Sequence, residues 1–189
     1  TPTALALAGA ALTAGLTSVI TMIVVRDQQA FSAYRFWVVG SLATRGPDAI
    51  VALAPFVAVG VVAAAASSRA LDLLALGDDV ARGLGQRVRL GRGLVLAAVV
   101  LLAGAATALA GPIVFVGLAV PHLVRRVAGG SHAWLLALAA PTGAALLLVA
   151  DVVGRMVARP GELEAGLVVA FLGAPAMIAL VQRARLVKL

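Results

Sequence analysis

The chain has 189 residues, 62% of them hydrophobic, 12% charged and 4% aromatic, with a mean hydropathy of +1.09. That charged fraction is about half of ordinary soluble usage, so the chain has too little polar surface to clothe a globule, and its place is a membrane. With no cysteine it has no disulfide framework, thiolate metal site or cysteine nucleophile. Its formal net charge of +7 and pI near 11.6 do not mark a nucleic-acid binder, because the basic residues are dispersed between long apolar blocks.

Thr1 is not a methionine, and the first block lacks the basic region and small-residue cleavage site of a signal peptide, so the chain is expected to begin mid-protein. A spanning helix needs about 20 apolar residues. Charge-free runs at Thr1 to Val25 and Ala49 to Ser68 predict two spans. Between them, Arg26 to Asp48 holds Phe31, Tyr34, Phe36 and Trp37, an aromatic cluster suited to a helix at the membrane interface. Leu71 to Leu76 reads as a short helix broken at Gly77, with Asp78 placed to cap a second short helix ending before Gly85. Gly93 to Val124 is charge-free but, as one helix, would be roughly 48 Å long. It is therefore divided at Gly111-Pro112, where proline removes a backbone donor, giving a third span and a short fourth. Ala133 to Ala150 forms a fifth span running on through Asp151 towards Arg155, and Ala165 to Gln182 a sixth. The expected fold is an all-α polytopic membrane bundle of about six helices in one domain, 1–189.

Lys and Arg are retained in cytoplasmic loops. Alternating spans place ten basic residues (Arg69, Arg82, Arg87, Arg89, Arg92, Arg125, Arg126, Arg183, Arg185 and Lys188) on the side of both termini, and five (Arg26, Arg35, Arg45, Arg155 and Arg159) on the other. The first side is the expected cytoplasmic one. Merging the third and fourth spans would erase much of this bias, so the charges support the division at Gly111-Pro112.

Enzyme signatures are missing. No phosphate-binding G-x-x-x-x-G-K-[ST] loop or H-E-x-x-H occurs, and His122 and His132 stand ten residues apart without a nearby acid. His132 reads as a solvated loop residue. His122, after Pro121 near the cytoplasmic end of the fourth span, reads as a packing or interfacial residue against a gating role. Gly104, Gly111, Gly117, Gly143 and Gly173 are expected to permit close helix packing.

Four stretches, in this order, resemble the FecCD-type permease family of iron-siderophore, haem and vitamin B12 importers. They are Leu73-Leu74-Ala75-Leu76-Gly77-Asp78-Asp79-Val80-Ala81-Arg82-Gly83-Leu84-Gly85, then the run from Ala110-Gly111-Pro112 to Ala119-Val120-Pro121-His122, then Leu148-Val149-Ala150-Asp151-Val152-Val153-Gly154-Arg155, then Glu162-Leu163 through Gly173-Ala174-Pro175. Pro2-Thr3 and Leu7-Ala8-Gly9 resemble the opening of the fifth helix of such permeases. The family pattern has about ten spans, so this chain resembles its C-terminal part with roughly the first four spans missing.

The resemblance implies a permease subunit of a binding-protein-dependent ABC importer. It implies a second permease subunit, an extracytoplasmic binding protein and an ATP-hydrolysing subunit as partners, with membrane lipid around the chain, no nucleic acid and no cofactor held by the chain itself. ATP is used by the partner. Within a cytoplasmic loop over 69–92, the residues Leu76 to Arg82, Leu84 and Gly85 resemble the element that couples to the ATPase. Asp78 and Asp79 suit a helix N-terminus, while Val80, Ala81 and Leu84 can form an apolar contact face. Asp151 and Arg155 are one turn apart with the acid first, which suits a same-helix ion pair. In the family, the arginine matching Arg155 receives a glutamate of the docked binding protein, and Asp151 would orient it. Arg159 and Glu162 border the same surface. Thr3 resembles a small polar residue of the cytoplasmic gate, and Pro121 and His122 are further pathway candidates. The rival reading is a secondary transporter or other non-ABC bundle, which needs an ion-coupling site near the bilayer midplane; here the only acid inside a span, Asp151, is close to an edge. A membrane-embedded enzyme would need paired acids or metal ligands, and neither occurs at workable spacing.

Overall fold

The computed structural model describes residues 2–42, 46–159, 161 and 163–186, and the regular structure among them is entirely helical. Thr1, Arg45, Glu162 and Lys188, used above, lie outside the described residues. The chain forms two compact units, Thr1–Val38 and Val39–Leu189.

The first unit holds α1 (Pro2–Arg26) and nearly all of α2 (Gln28–Val39). In α1, the hydroxyls of Thr13, Ser18 and Thr21 donate to the carbonyls of Gly9, Ala14 and Thr17 at 2.8, 2.9 and 2.8 Å. Such back-bonding satisfies a hydroxyl without a second helix, which an apolar surrounding demands. Asp27 accepts from the Gln29 amide at 2.8 Å and starts α2. Along α2 the rings of Tyr34 and Trp37 stack at 5.9 Å, and the Arg35 guanidinium lies 5.1 Å from the Phe36 ring centre. The aromatic segment is thus a helix, as its sequence leads one to expect.

The second unit contains α3 (Pro47–Leu74), α4 (Asp78–Gly83), α5 (Val88–Ala110), α6 (Val116–Ala128), α7 (His132–Val157) and α8 (Ala165–Leu186). Small residues bring α3 against α5: Ala63, Ser67, Ala70, Ala98 and Ala105 are buried, and a Cβ on Gly60 would meet Leu102 at 2.8 Å. Val120, Val124 and Ala128 of α6 pack on Leu135, Leu138 and Leu146 of α7. Ala150 joins Ala165, Val168 and Val169 of α8, with Ile113 and Phe115 against them. Most large apolar side chains point away from these contacts, as lipid-facing residues do; Leu7, Val51, Val127 and Phe171 are each more than two-thirds exposed.

Four helices, α1 (over Ala6–Arg26), α3, α5 and α7, are long and apolar enough to cross a membrane. The expected division at Gly111 is present: α5 ends at Ala110 and Gly111 takes φ 76°. Helix resumes only at Val116, so α6 has 13 residues and rises about 20 Å, less than the hydrocarbon core. Arg125 and Arg126 belong to its last turn and not to a loop. In α8 the described apolar stretch is Ala165–Pro175. Of the six expected spans, four meet the length criterion among the described residues.

Close backbone approaches replace some of the expected packing glycines. A Cβ on Gly154 would collide with the Leu163 carbonyl, and one on Gly166 with the carbonyl of Val39. The Gly166 amide donates to the Gly40 carbonyl at 2.8 Å. Gly173 sits on Phe115 as expected, whereas nothing lies within 4 Å of a Cβ built at Gly104 or Gly117 among the described residues.

Candidate coupling and docking surfaces

The segment after α3 is an elbow built by backbone geometry. The α3 helix continues to Leu74, so Leu71 to Leu74 is its last turn and not a separate short helix. The amides of Leu76 and Gly77 bond to the carbonyls of Leu73 and Leu74 at 3.1 Å, and Gly77 then takes φ 101°, ψ 153°. That left-handed conformation turns the chain into α4, and a β-carbon would strain it. Gly77 occupies the cap and Asp78 the first turn, so Asp78 is not the cap that the sequence suggests. At the other end the Gln86 and Gly85 amides reach the carbonyls of Ala81 and Arg82, both at 2.9 Å, with Gly85 at φ 81°. This pair of bonds is a Schellman closure, for which glycine is preferred.

Side chains finish the elbow. Asp78 accepts from Arg92 of α5 at 2.8 Å and lies 3.8 Å from Arg82, while Asp79 accepts from Arg82 at 2.8 Å. Both acids also face the positive end of α4. Ala81 is fully buried against the body of the unit, which removes it from the expected outer face. Leu76, Val80 and Leu84, four residues apart, are 61%, 50% and 61% exposed and form an outward apolar stripe.

A second link was invisible in the sequence. Asp72, near the end of α3, accepts from the backbone amide of His132 at 2.9 Å and lies 2.6 Å from its Nδ1. Ser131, at the α7 cap, makes no side-chain cap bond, so a carboxylate 60 residues away supplies the missing acceptor. His132 is therefore a half-buried helix-start residue and not a solvated loop residue. It holds the start of α7 beside the elbow.

Asp151 and Arg155 lie at the far end of α7, roughly 30 to 35 Å along its axis from His132. Arg155 Nε donates to Asp151 Oδ2 at 2.8 Å, with a longer 3.5 Å contact from its terminal nitrogen, forming the expected same-helix pair. Arg155 is 45% exposed, and the buried Gly154 beside it accepts from the Leu163 amide at 3.4 Å. Arg159 is exposed nearby in sequence. Thr3 is exposed in the first turn of α1, in the other compact unit; Pro121 lies inside α6, half-buried, and His122 next to it is exposed. No group of three or more metal-ligating side chains occurs among the described residues.

The arrangement presents an apolar stripe at one end of the bundle and an oriented guanidinium at the other. The family model "FecCD transport family" matches residues 1–183. The chain is 42% identical over 183 residues to the ferric enterobactin transport system permease protein FepD of Escherichia coli, covering 96% of this chain and 54% of that protein. It is 36% identical to the Fe(3+)-citrate import system permease protein YfmD of Bacillus subtilis, covering all of this chain and 56% of the relative. It is also 36% identical to the hemin transport system permease protein HmuU of Yersinia pestis, with 96% and 54% covered. A solved structure of an inward-facing metal-chelate type ABC transporter superposes with a TM-score of 0.77 at 27% identity, over 93% of this chain and 57% of that one. The chain thus spans little more than half the length of the relatives that it matches.

Proposed function

The chain belongs to the FecCD transport family, and from that premise we propose that it forms the C-terminal part of a permease subunit of a binding-protein-dependent ABC importer. The cargo is an iron-siderophore or a related chelate such as haem or cobalamin, moved inward. Relatives named for ferric enterobactin, ferric citrate and hemin support that cargo class. In this reading 1–189 is one permease domain with six spans, α6 being the short one, and both termini are cytoplasmic. The chain is a transport subunit and not an enzyme. ATP is hydrolysed by a separate subunit, a second permease subunit completes the pathway, and an extracytoplasmic protein delivers the cargo.

The observation that carries the proposal is the placement of the two surfaces at opposite ends of α7. The Asp72–His132 link fixes the elbow at the start of that helix, and Asp151 and Arg155 close its far end. A helix of 26 residues is about 39 Å long, enough to put the ends on opposite faces of a bilayer. In this reading the elbow, with Leu76, Val80 and Leu84 outward, docks in the ATPase subunit, and Arg155, oriented by Asp151, meets an acidic residue of the binding protein. Thr3, Pro121 and His122 line or gate the pathway.

Single cysteines test the topology, since the chain has no thiol of its own. A cysteine at Ser68 or Ser131 should resist an impermeant reagent in intact cells, and one at Ser32 should react. Labelling at Ser131 without labelling at Ser32 reverses the orientation and sinks the assignment of the elbow to the ATPase side.

A further inference from the structure

The reading above leaves a cluster of arginines unused. Where the elbow meets α5, a cleft of about 620 Å³ is lined by Arg82, Arg87, Arg89 and Arg92 together with Gln86 and Leu90. A second cleft of about 420 Å³ shares Gln86, Arg87 and Leu90 with it and adds Arg69 of α3 and Leu94 of α5. Five arginines therefore line two adjoining clefts at the α3–α5 seam, Arg87 being common to both. Asp78 and Asp79 engage two of them, Arg82 and Arg92. Arg69, Arg87 and Arg89 have no ion-pair partner among the described residues, and all three are exposed. Like charges around adjoining clefts repel, and an anion between them relieves that repulsion.

Where the cluster sits narrows the anion. Arg87 is the residue before α5 and makes no side-chain cap bond, so the first amides of a 23-residue helix open towards the same place. From Gly93 onward that helix is free of charge. The arginines thus stand level with the boundary at which an apolar span begins, the depth of lipid headgroups. Leu90, which lines both clefts, and Leu94, one turn further along α5 in the second, are 64% and 38% exposed and continue that cleft into the apolar zone. A cationic pocket that runs directly into exposed leucines matches a molecule with an anionic head and a hydrocarbon tail.

We infer that the α3–α5 seam beside the elbow is a binding site for an anionic phospholipid, whose headgroup lies over Arg87, the arginine common to both clefts, flanked by Arg89 in one and Arg69 in the other, and whose acyl chain lies along Leu90 and Leu94. The inference rests on the reading of α3 and α5 as membrane spans. It places a lipid at the base of the segment that is proposed to meet the ATPase.

Native mass spectrometry of the complete permease carrying this chain, released from detergent with added phosphatidylglycerol or phosphatidylethanolamine, tests it. Phosphatidylglycerol should be retained in preference. A basic residue near an anionic headgroup contributes about fivefold in affinity, so Arg87→Gln with Arg89→Gln should weaken retention about thirtyfold. Arg87→Lys with Arg89→Lys keeps the charge and should stay within a few-fold of the wild type. Arg125→Gln with Arg126→Gln, away from the clefts, should change nothing, and the helical content of every variant is checked by circular dichroism. Should the double glutamine variant misfold, single Arg89→Gln carries the test with an expected loss of about fivefold. Unchanged phosphatidylglycerol retention in a folded glutamine variant overturns the site. Displacement of the lipid by an equal concentration of inorganic phosphate overturns the lipid as its occupant, as does its complete displacement by the ATPase subunit. A chain recovered without detergent in the soluble fraction would overturn the membrane reading itself, an outcome distinct from an inserted chain that shows no lipid preference.

Discussion

The elbow after α3 and the far end of α7 carry the two proposed partner surfaces, and they are made in opposite ways. The elbow departs from helix: two glycines at positive φ set its direction, and its apolar side chains point out. The far end of α7 never leaves the helix, and its charged pair follows from i, i+4 spacing alone. One surface depends on backbone conformation and the other on side-chain identity. Substitutions should separate them.

The largest effect is expected where the far end depends on backbone after all. Gly154→Val would drive a side chain into the Leu163 carbonyl, and overpacking of this kind costs about 1–3 kcal/mol or more. The thermal transition of the detergent-solubilised protein should fall by several degrees, while Gly83→Ala, which meets only open space, should leave it in place. An unchanged transition in Gly154→Val would mean that the Leu163 loop yields freely.

Next comes the elbow. Gly77→Ala places a β-carbon at φ 101° and should cost about 1–2 kcal/mol locally. In the assembled importer this should reduce transport-coupled ATP hydrolysis more than it reduces the yield of the purified permease. Equal losses in both would reduce the elbow to a folding element.

Arg155→Glu should weaken binding-protein affinity by about tenfold at low salt and by less at moderate salt, because an exposed charge contact is screened. Exchanging the pair, Asp151→Arg with Arg155→Asp, keeps an ion pair in the poorer order. Affinity retained by the exchange would make Arg155 a structural partner of Asp151 only. The smallest effect belongs to Asp79→Lys. It reverses a charge at the start of α4 on a side chain that is 98% exposed, worth a few tenths of a kcal/mol. Coupled ATP hydrolysis in the assembled importer is the readout, and stimulation equal to that of the wild type would mean that Asp79 supports the elbow without meeting the ATPase.

What the sequence revealed follows the range of the forces involved. Runs of apolar residues located α1, α3, α5 and α7, because span length is set by the bilayer and can be counted. The break at Gly111-Pro112 was legible for the same local reason, and so was the Asp151–Arg155 pair. The extent of α3 was not, because helix runs on through Leu74 until Gly77 stops it. The inward turn of Ala81 depends on how α4 rolls against α3 and α5, and no local pattern in six residues fixes that. The Asp72–His132 link joins residues 60 apart, and nothing local marks it, because Ser131 reads in sequence as an ordinary cap and only the structure shows that it makes no side-chain cap bond. Gly154 and Gly166 stood among 20 glycines with nothing local to mark them as the ones that carry backbone contacts.

The hydroxyls of Thr13, Ser18 and Thr21 have a consequence for movement. Each is closed onto the carbonyl one turn earlier in its own helix, so none of these three groups is moored to a neighbour. These bonds would survive any rotation of α1 about its own axis. A helix whose hydroxyls are closed in this way can lie in hydrocarbon without a polar partner from another helix.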